Sequence, residues 1–152
     1  MSVAAVRRAA RYGLPFFPPQ PNPALEALYL AELERHGTTG RLEVHRDLSL
    51  LFIDEDPDRT WEELGPYFLR ETRTYAAWSR AGVERHYESD SASIAALRRE
   101  KIFEVLTPAE CRARAAGATD YRPVLHPLAG GVPIERAWRC LELYATQVLG
   151  RL

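Results

Sequence analysis

The start of the chain is the feature that most constrains its fold. Residues 2–11 have the pattern of a helix, and Gly13 leads straight into a short apolar run, Leu14–Phe17, which prolines close. In α/β proteins a helix in that position normally follows a strand of the same sheet, and no such strand precedes it here. We therefore expect the chain to be the back part of a larger α/β fold.

Composition limits the class of protein further. The 152 residues are 46% hydrophobic and carry a formal net charge of −1. A chain of that size fits one domain, and its charge gives no general attraction to nucleic acid or to an anionic membrane. No apolar run approaches the roughly 20 residues that span a bilayer, and the first residues lack the order of a signal peptide. With two cysteines and no disulfide framework, we expect a reduced, cytoplasmic protein.

Helical and strand-like segments alternate along the chain. The helix signals are strongest at Asn22, a cap followed by proline, and at Thr107 to Glu110, a capping box. A polar excursion of mixed charge occupies about residues 83–101. The predicted helices cover about 3–11, 22–36, 57–81, 107–116 and 133–152, and the predicted strands cover 14–17, 47–53, 102–106 and 124–126. This βα repetition predicts a parallel sheet or part of a (β/α)8 barrel.

Five segments of the chain resemble, in the right order, parts of the luciferase-like flavin-dependent monooxygenases. They are RRAARYG (7–13) with the prolines after it, LFIDEDPDRTW (51–61), VLTPAEC (105–111), LHPLAGGVP (125–133) and AWRCLELY (137–144). The resemblance covers nearly the whole chain, and residues 83–99 match least well. Five motifs in this order and spacing are fairly specific, although no single one is decisive.

The resemblance implies both a fold and a function. This family builds a (β/α)8 barrel, and the chain would supply its C-terminal portion, about three βα units over residues 1–152. Family members hold reduced FMN or a deazaflavin at the C-terminal mouth of the barrel and oxidise a small-molecule substrate, often with dioxygen. The chain is thus expected to be the C-terminal fragment of such an oxidoreductase, inactive by itself because most of the site lies on absent strands.

Four residues are candidates for the cofactor site. By resemblance, Ser2 corresponds to the helix start that contacts the flavin phosphate, a place where free N–H groups favour an anion. The alternative is that Ser2 only caps the helix. Phe17, Pro18 and His126 follow strand ends, where barrel active sites form, and are candidates to line the flavin or substrate pocket. The alternatives are core aromatic residues and a turn histidine satisfied by its neighbours.

Other polar clusters have simpler interpretations, and no residue has the pattern of a catalytic acid, base or nucleophile. Asp54, Asp56 and Asp58 lack the glycine and the glutamate of a calcium loop, so acids at a helix start explain them better. The two cysteines and His126 lack zinc-ligand spacing. The arginines within residues 7–11 and 98–101 favour solvated helix faces over a nucleic-acid footprint.

A second hypothesis is that the chain is a non-catalytic interaction module. Three strands with open edges and apolar faces would bind a partner, either a second copy of the chain or a separately encoded N-terminal half. A free-standing α/β binding module that shares the family's ancestry is a third hypothesis. The abrupt start favours the enzyme fragment, which predicts that the chain alone binds flavin weakly or not at all, together with self-association or marginal stability.

Overall fold

The computed structural model describes residues 2–18, 21–44, 49–78, 89–117 and 123–151. It groups the chain into two compact units, Met1–Arg46 and Asp47–Leu152, each with its own hydrophobic core. The prediction of a single partial-barrel domain over residues 1–152 depends on how these two units are arranged together. It stays a prediction. In the described ranges, no helix is long and apolar enough to cross a membrane.

The first unit consists of two helices and a partly extended segment. α1 (Val3–Arg11) and α2 (Pro23–His36) have the predicted bounds, and local signals explain the ends of α2. Asn22 Oδ1 accepts the N–H of Leu25 at 3.1 Å, and Gly37 ends the helix in a left-handed conformation with φ 61°. Glycine adopts that φ without steric cost. The core of the unit consists of Val6, Ala10, Phe16, Tyr29 and Leu33.

The predicted strand at residues 14–17 is reduced to one parallel bridge between Phe16 and Leu42. The prolines of this segment have no N–H to donate to a sheet. In addition, the carbonyl of Leu14 accepts the hydroxyl of Tyr29 at 2.7 Å in place of a strand partner. Leu14 is therefore 53% exposed, where a strand covered on both faces was expected. The prediction of a regular strand here is wrong.

The second unit is built on three short parallel strands. β1 (Leu50–Ile53) lies in the centre, with β2 (Phe103–Leu106) on one side and β3 (Val124–Leu125) on the other. All residues of β1 are buried, as expected for a parallel strand covered on both faces. The chain is thus a mixed α/β protein with a small, open parallel sheet.

The order of the strands differs from that of a simple barrel segment. Consecutive strands of a (β/α)8 barrel are neighbours, whereas β2 and β3 are separated here by β1. The connection from β1 to β2 carries α3 (Pro57–Trp78) and α4 (Ile94–Glu100), and the connection from β2 to β3 carries α5 (Pro108–Ala116). The alternating pattern predicts parallel pairing but does not specify which strands pair, because pairing depends on contacts distant in sequence.

α3 covers one face of the sheet. Its Phe68 ring stacks on Phe103 of β2, with 4.7 Å between the centroids. The helix continues without a break through its internal proline. A Cβ on Gly65 would lie 2.6 Å from a methyl carbon of Ile94, so the glycine is what allows α4 to pack this closely on α3. α4 lies in the predicted excursion at 83–101, of which residues 83–88 lie outside the described part.

α6 (Ile134–Leu143) continues as a π-helical turn, Tyr144–Val148, and a final 3-10 turn. The side chains that it buries are small or medium-sized, namely Ala137, Cys140 and Leu143. Cys140 Sγ accepts the N–H of Ile53 at 3.2 Å, so the helix approaches the end of β1 closely. Ile134 and Trp138 on the same helix are 51% and 60% exposed.

Candidate functional site

His126 directly follows β3, the short edge strand, which ends level with Leu51 while β1 continues to Ile53. Open α/β sheets bind their ligands beyond the carboxyl ends of their strands, and His126 follows such an end. Its backbone N–H donates to the carbonyl of Leu51 at 3.1 Å, which anchors the residue to the sheet. Its ring is stacked on that of Phe103, with 6.3 Å between the centroids. The side chain is 38% exposed, so solvent reaches part of the ring.

Glu71 of α3 orients both this ring and the turn that follows. One carboxylate oxygen lies 3.1 Å from His126 Nε2, and the other accepts the N–H of Gly130 at 2.7 Å. Because Nε2 is taken by Glu71, Nδ1 is the ring nitrogen left without a hydrogen-bond partner in the described ranges. The pair therefore gives the imidazole a fixed orientation and one open nitrogen, a combination suited to hydrogen bonding with a ligand.

The same contacts support the structural interpretation of His126. Gly130 has φ 58°, and a Cβ there would lie 2.0 Å from the carbonyl oxygen of Tyr67, so the turn is pressed against α3. Both oxygens of Glu71 are used in holding that turn in place. His126 is thus a turn histidine with a carboxylate partner, and its open nitrogen is the feature that a purely structural role does not require.

Ser2 is the N-cap of α1. Its Oγ accepts the N–H of Ala5 at 3.3 Å, which is the capping alternative stated for this residue. The first N–H groups of a helix have no partner within the helix, and they lie at the positive end of its dipole. The capping role is therefore compatible with a nearby anion, and contact with a flavin phosphate stays a prediction.

Phe17 and Pro18 differ in how accessible their side chains are to a ligand. Phe17 is 49% exposed, whereas Pro18 is buried. These two residues and Ser2 belong to the first unit, while His126 belongs to the second. The structure describes each unit by itself, and the assembly of all four residues into one cofactor site stays a prediction.

A polar cavity in the first unit was not predicted from the sequence. It is an open depression of about 520 Å³ between α1 and α2, next to Glu32, a carboxylate whose side chain is only 7% exposed. Arg7 and Arg35 each lie 3.3 Å from this carboxylate, and His36 Nε2 lies 3.4 Å from it. We call this cavity the arginine pocket, and its charged lining consists of Arg7, Arg8, Arg11, Glu32, Arg35 and His36.

The sequence signal for the arginine pocket is present but ambiguous. The arginines of α1 are spaced to share one side of a helix, and Glu32, Arg35 and His36 have the i, i+3, i+4 spacing of another. Each pattern alone is typical of a solvated helix face. Only the packing of α1 on α2 brings the two faces together, and that packing depends on the core between Ala10, Tyr29 and Leu33.

The acidic residues of the turn after β1 make structural contacts. Asp56 Oδ1 accepts the N–H of Arg59 at 3.1 Å at the start of α3, and Asp54 pairs with Arg136 of α6 at 3.1 Å. In the part of the chain that the structure describes, no group of three or more histidine, cysteine, aspartate or glutamate residues could hold a metal ion. Cys140 is buried, and burial raises the pKa of its thiol to about 11.

The fold is similar to that of a known enzyme. The chain superimposes on the crystal structure of the monooxygenase RslO1 from Streptomyces bottropensis with a TM-score of 0.59 and 22% sequence identity. The match covers 99% of this chain and 45% of that protein, so the chain spans less than half of the monooxygenase's length. At this identity the likeness concerns the fold. No protein-family model and no curated protein matches the sequence.

Proposed function

We propose that the chain forms the C-terminal part of a flavin-dependent oxidoreductase of the luciferase-like class. The observation that carries the proposal is the likeness in fold, over 99% of the chain, to a protein described as a monooxygenase. The five luciferase-like motifs of the sequence support the same class independently of the structural comparison. Oxidoreductase activity, flavin or deazaflavin dependence and the status of a fragment are all parts of this proposal.

The proposed barrel must accommodate the order β2-β1-β3. We take β1 and β3 as consecutive barrel strands, because they are parallel neighbours joined by a helical crossover. β2 then belongs to the long connection between them, together with α4 and the polar excursion. In this arrangement the remaining strands of the barrel lie outside the chain, in keeping with a match to 45% of the larger protein.

The residues of the chain fit a flavin in part. The capped start of α1 at Ser2 offers N–H groups to a phosphate, Phe17 offers a half-exposed ring, and His126 offers an open nitrogen. Pro18 is buried and would act through the backbone shape of its segment. When bound, reduced FMN or a deazaflavin would supply the redox chemistry by which the small-molecule substrate is oxidised, often with dioxygen. The task of these residues is to bind and orient the cofactor, and Glu71 keeps the imidazole in place.

Ligand titration followed by nuclear magnetic resonance tests this proposal and tolerates weak binding. We expect FMN to shift the signals of Ser2 and His126, with a Kd of about 1 mM or weaker because most contacts are absent. Riboflavin, which lacks the phosphate, should shift His126 but not Ser2. A deazaflavin added in parallel distinguishes the two cofactor classes. The absence of any change at His126 with all three ligands would contradict the assignment of His126 to the flavin site.

A second candidate function, an interaction module, is favoured by one specific observation. Ile134, Trp138 and Leu149, on α6 and its continuation, are 51%, 60% and 55% exposed. Large apolar side chains clustered on one surface are typical of an interface. The partner would be a second copy of this chain or a separate chain that carries the missing strands. This function is compatible with the first, because an incomplete barrel needs a covering partner.

A further inference from the structure

The arginine pocket has more positive charge than its internal ion pairs neutralise. Its lining holds four arginines, Arg7, Arg8, Arg11 and Arg35, and a single carboxylate, that of Glu32, so its formal charge before His36 is counted is three positive. Arg7 and Arg35 pair with Glu32. Arg8 and Arg11 form no ion pair with any residue that the structure describes, although Arg11 lies 5.6 Å from the centre of the Tyr12 ring.

Helix dipoles account for only part of this charge. Arg8, Arg11, Arg35 and His36 lie in the last turns of α1 and α2, where each dipole contributes about half a negative charge. Two such ends offset about one of the three net charges, which leaves roughly two positive charges without compensation. A dianion would therefore balance the pocket.

The shape and chemistry of the pocket narrow the ligand to a small, phosphorylated one. About 520 Å³ lies within the range of small-molecule sites, and the charged lining suits a polar ligand better than an apolar one. Guanidinium groups bind phosphate through paired N–H donors. A nucleic acid fits less well, because the charge is confined to one concave site on a chain whose net charge is −1.

We propose that the arginine pocket binds the phosphate group of a small phosphorylated metabolite. Arg8 and Arg11 would donate directly to the phosphate oxygens. Glu32 would hold Arg7 and Arg35 in place through the contacts already formed. The site lies entirely within the first unit and does not depend on the flavin proposal.

The test uses the full chain and inorganic pyrophosphate, followed by isothermal titration calorimetry. We expect saturable binding with one site, weakened about tenfold or more when Arg8 and Arg11 are both replaced by alanine, because charge-assisted hydrogen bonds are lost. The double variant Arg8→Lys and Arg11→Lys keeps the charge but not the paired donors, and should bind with intermediate affinity. Arg99→Ala, which removes one exposed charge from α4, is a control outside the pocket and should bind as the unaltered chain does.

Chemical-shift mapping on the unaltered chain keeps the test valid if a variant fails to fold. Pyrophosphate should shift the Nε–H signals of Arg8 and Arg11, and leave that of Arg99 unchanged. The proposal is overturned if pyrophosphate does not bind, if the double alanine variant binds as tightly as the unaltered chain, or if the loss is the same for Arg99→Ala.

Discussion

At the scale of single residues, Gly130 shows how the candidate site is held together. Its positive φ and its contact with the Tyr67 carbonyl leave no space for a side chain, and its N–H is one of the two groups bound by Glu71. Gly131 has φ 88°, but a Cβ there would meet nothing within 4 Å. A substitution of Gly131 would therefore cause backbone strain alone, whereas a substitution of Gly130 would cause both strain and a steric clash.

We expect Gly130→Ala to lower the free energy of unfolding by more than about 3 kcal/mol, since a left-handed alanine and a backbone clash both add to the cost. Gly131→Ala should cost about 1–2 kcal/mol, the strain alone. Urea denaturation of the two variants measures the difference. Equal losses would mean that the turn moves freely away from α3, and the fixed position of His126 would then be in doubt.

The hydrogen-bond partner of a side chain can be predicted from the sequence where that partner is close in the chain. The cap at Asn22 and the capping box of Thr107 and Glu110 are confirmed, because each involves groups three residues apart. The partner of His126 could not be predicted, since Glu71 lies 55 positions away on another element. The open nitrogen of the imidazole follows only from that contact.

At the scale of elements, the sequence predicts the helices better than the faces that they bury. Ile134 and Trp138 have the i, i+4 spacing of one apolar helix face, whereas α6 buries Ala137 and Cys140 and leaves those two residues 51% and 60% exposed. The smaller side chains let the helix approach β1 until the Cys140 thiol accepts the N–H of Ile53. The periodicity of the helix does not reveal this contact, because Ile53 lies 87 positions away in the chain.

The contact between α6 and β1 predicts a pH effect on stability. Cys140 ionises at about pH 11 in the folded chain and near 9.0 when solvated, because burial disfavours the thiolate. As the pH rises past 9, the unfolded chain loses this proton first. The free energy of unfolding should therefore fall by about 1.4 kcal/mol per pH unit between the two values. Below pH 9 the full contribution of the buried, neutral thiol to the free energy of unfolding is present.

Urea denaturation between pH 8 and about 11 measures this slope. Cys140→Ala is the control, because it removes the thiol while the tyrosines that titrate in the same range remain. Its stability should be lower at pH 8 and should fall less steeply above pH 9. The same slope in both chains would show that the thiol is not buried at this contact.

At the scale of the whole molecule, strand order is the property that the sequence leaves open. The βα alternation predicts parallel strands, and the structure confirms parallel pairing in the second unit. The alternation does not specify that β1 lies between β2 and β3. The paired residues of β1 and β2 are more than 50 positions apart in the chain, and those of β1 and β3 are more than 70 apart. The barrel proposed for the complete protein depends on which of these pairings belongs to it.

The exposed apolar surface of α6 leads to a prediction about association. Trp138 and Trp78 are almost equally exposed, at 60% and 61%, but they differ in their surroundings. Trp138 lies near Ile134 on a helix with other exposed apolar residues, whereas Trp78 forms an edge contact with Tyr75, at 5.8 Å between centroids. If α6 is the covered face, a charge at Trp138 should disrupt association and a charge at Trp78 should not.

Sedimentation velocity over a range of protein concentrations tests this comparison. The unaltered chain should associate increasingly as its concentration rises, and Trp138→Glu should sediment as a monomer, because burying a carboxylate in an apolar interface is costly. Trp78→Glu, with the same change in charge, should associate as the unaltered chain does. If all three chains are monomeric, α6 does not mediate self-association. If both variants lose association equally, the change in net charge is the cause, and the assignment of the interface to α6 is wrong.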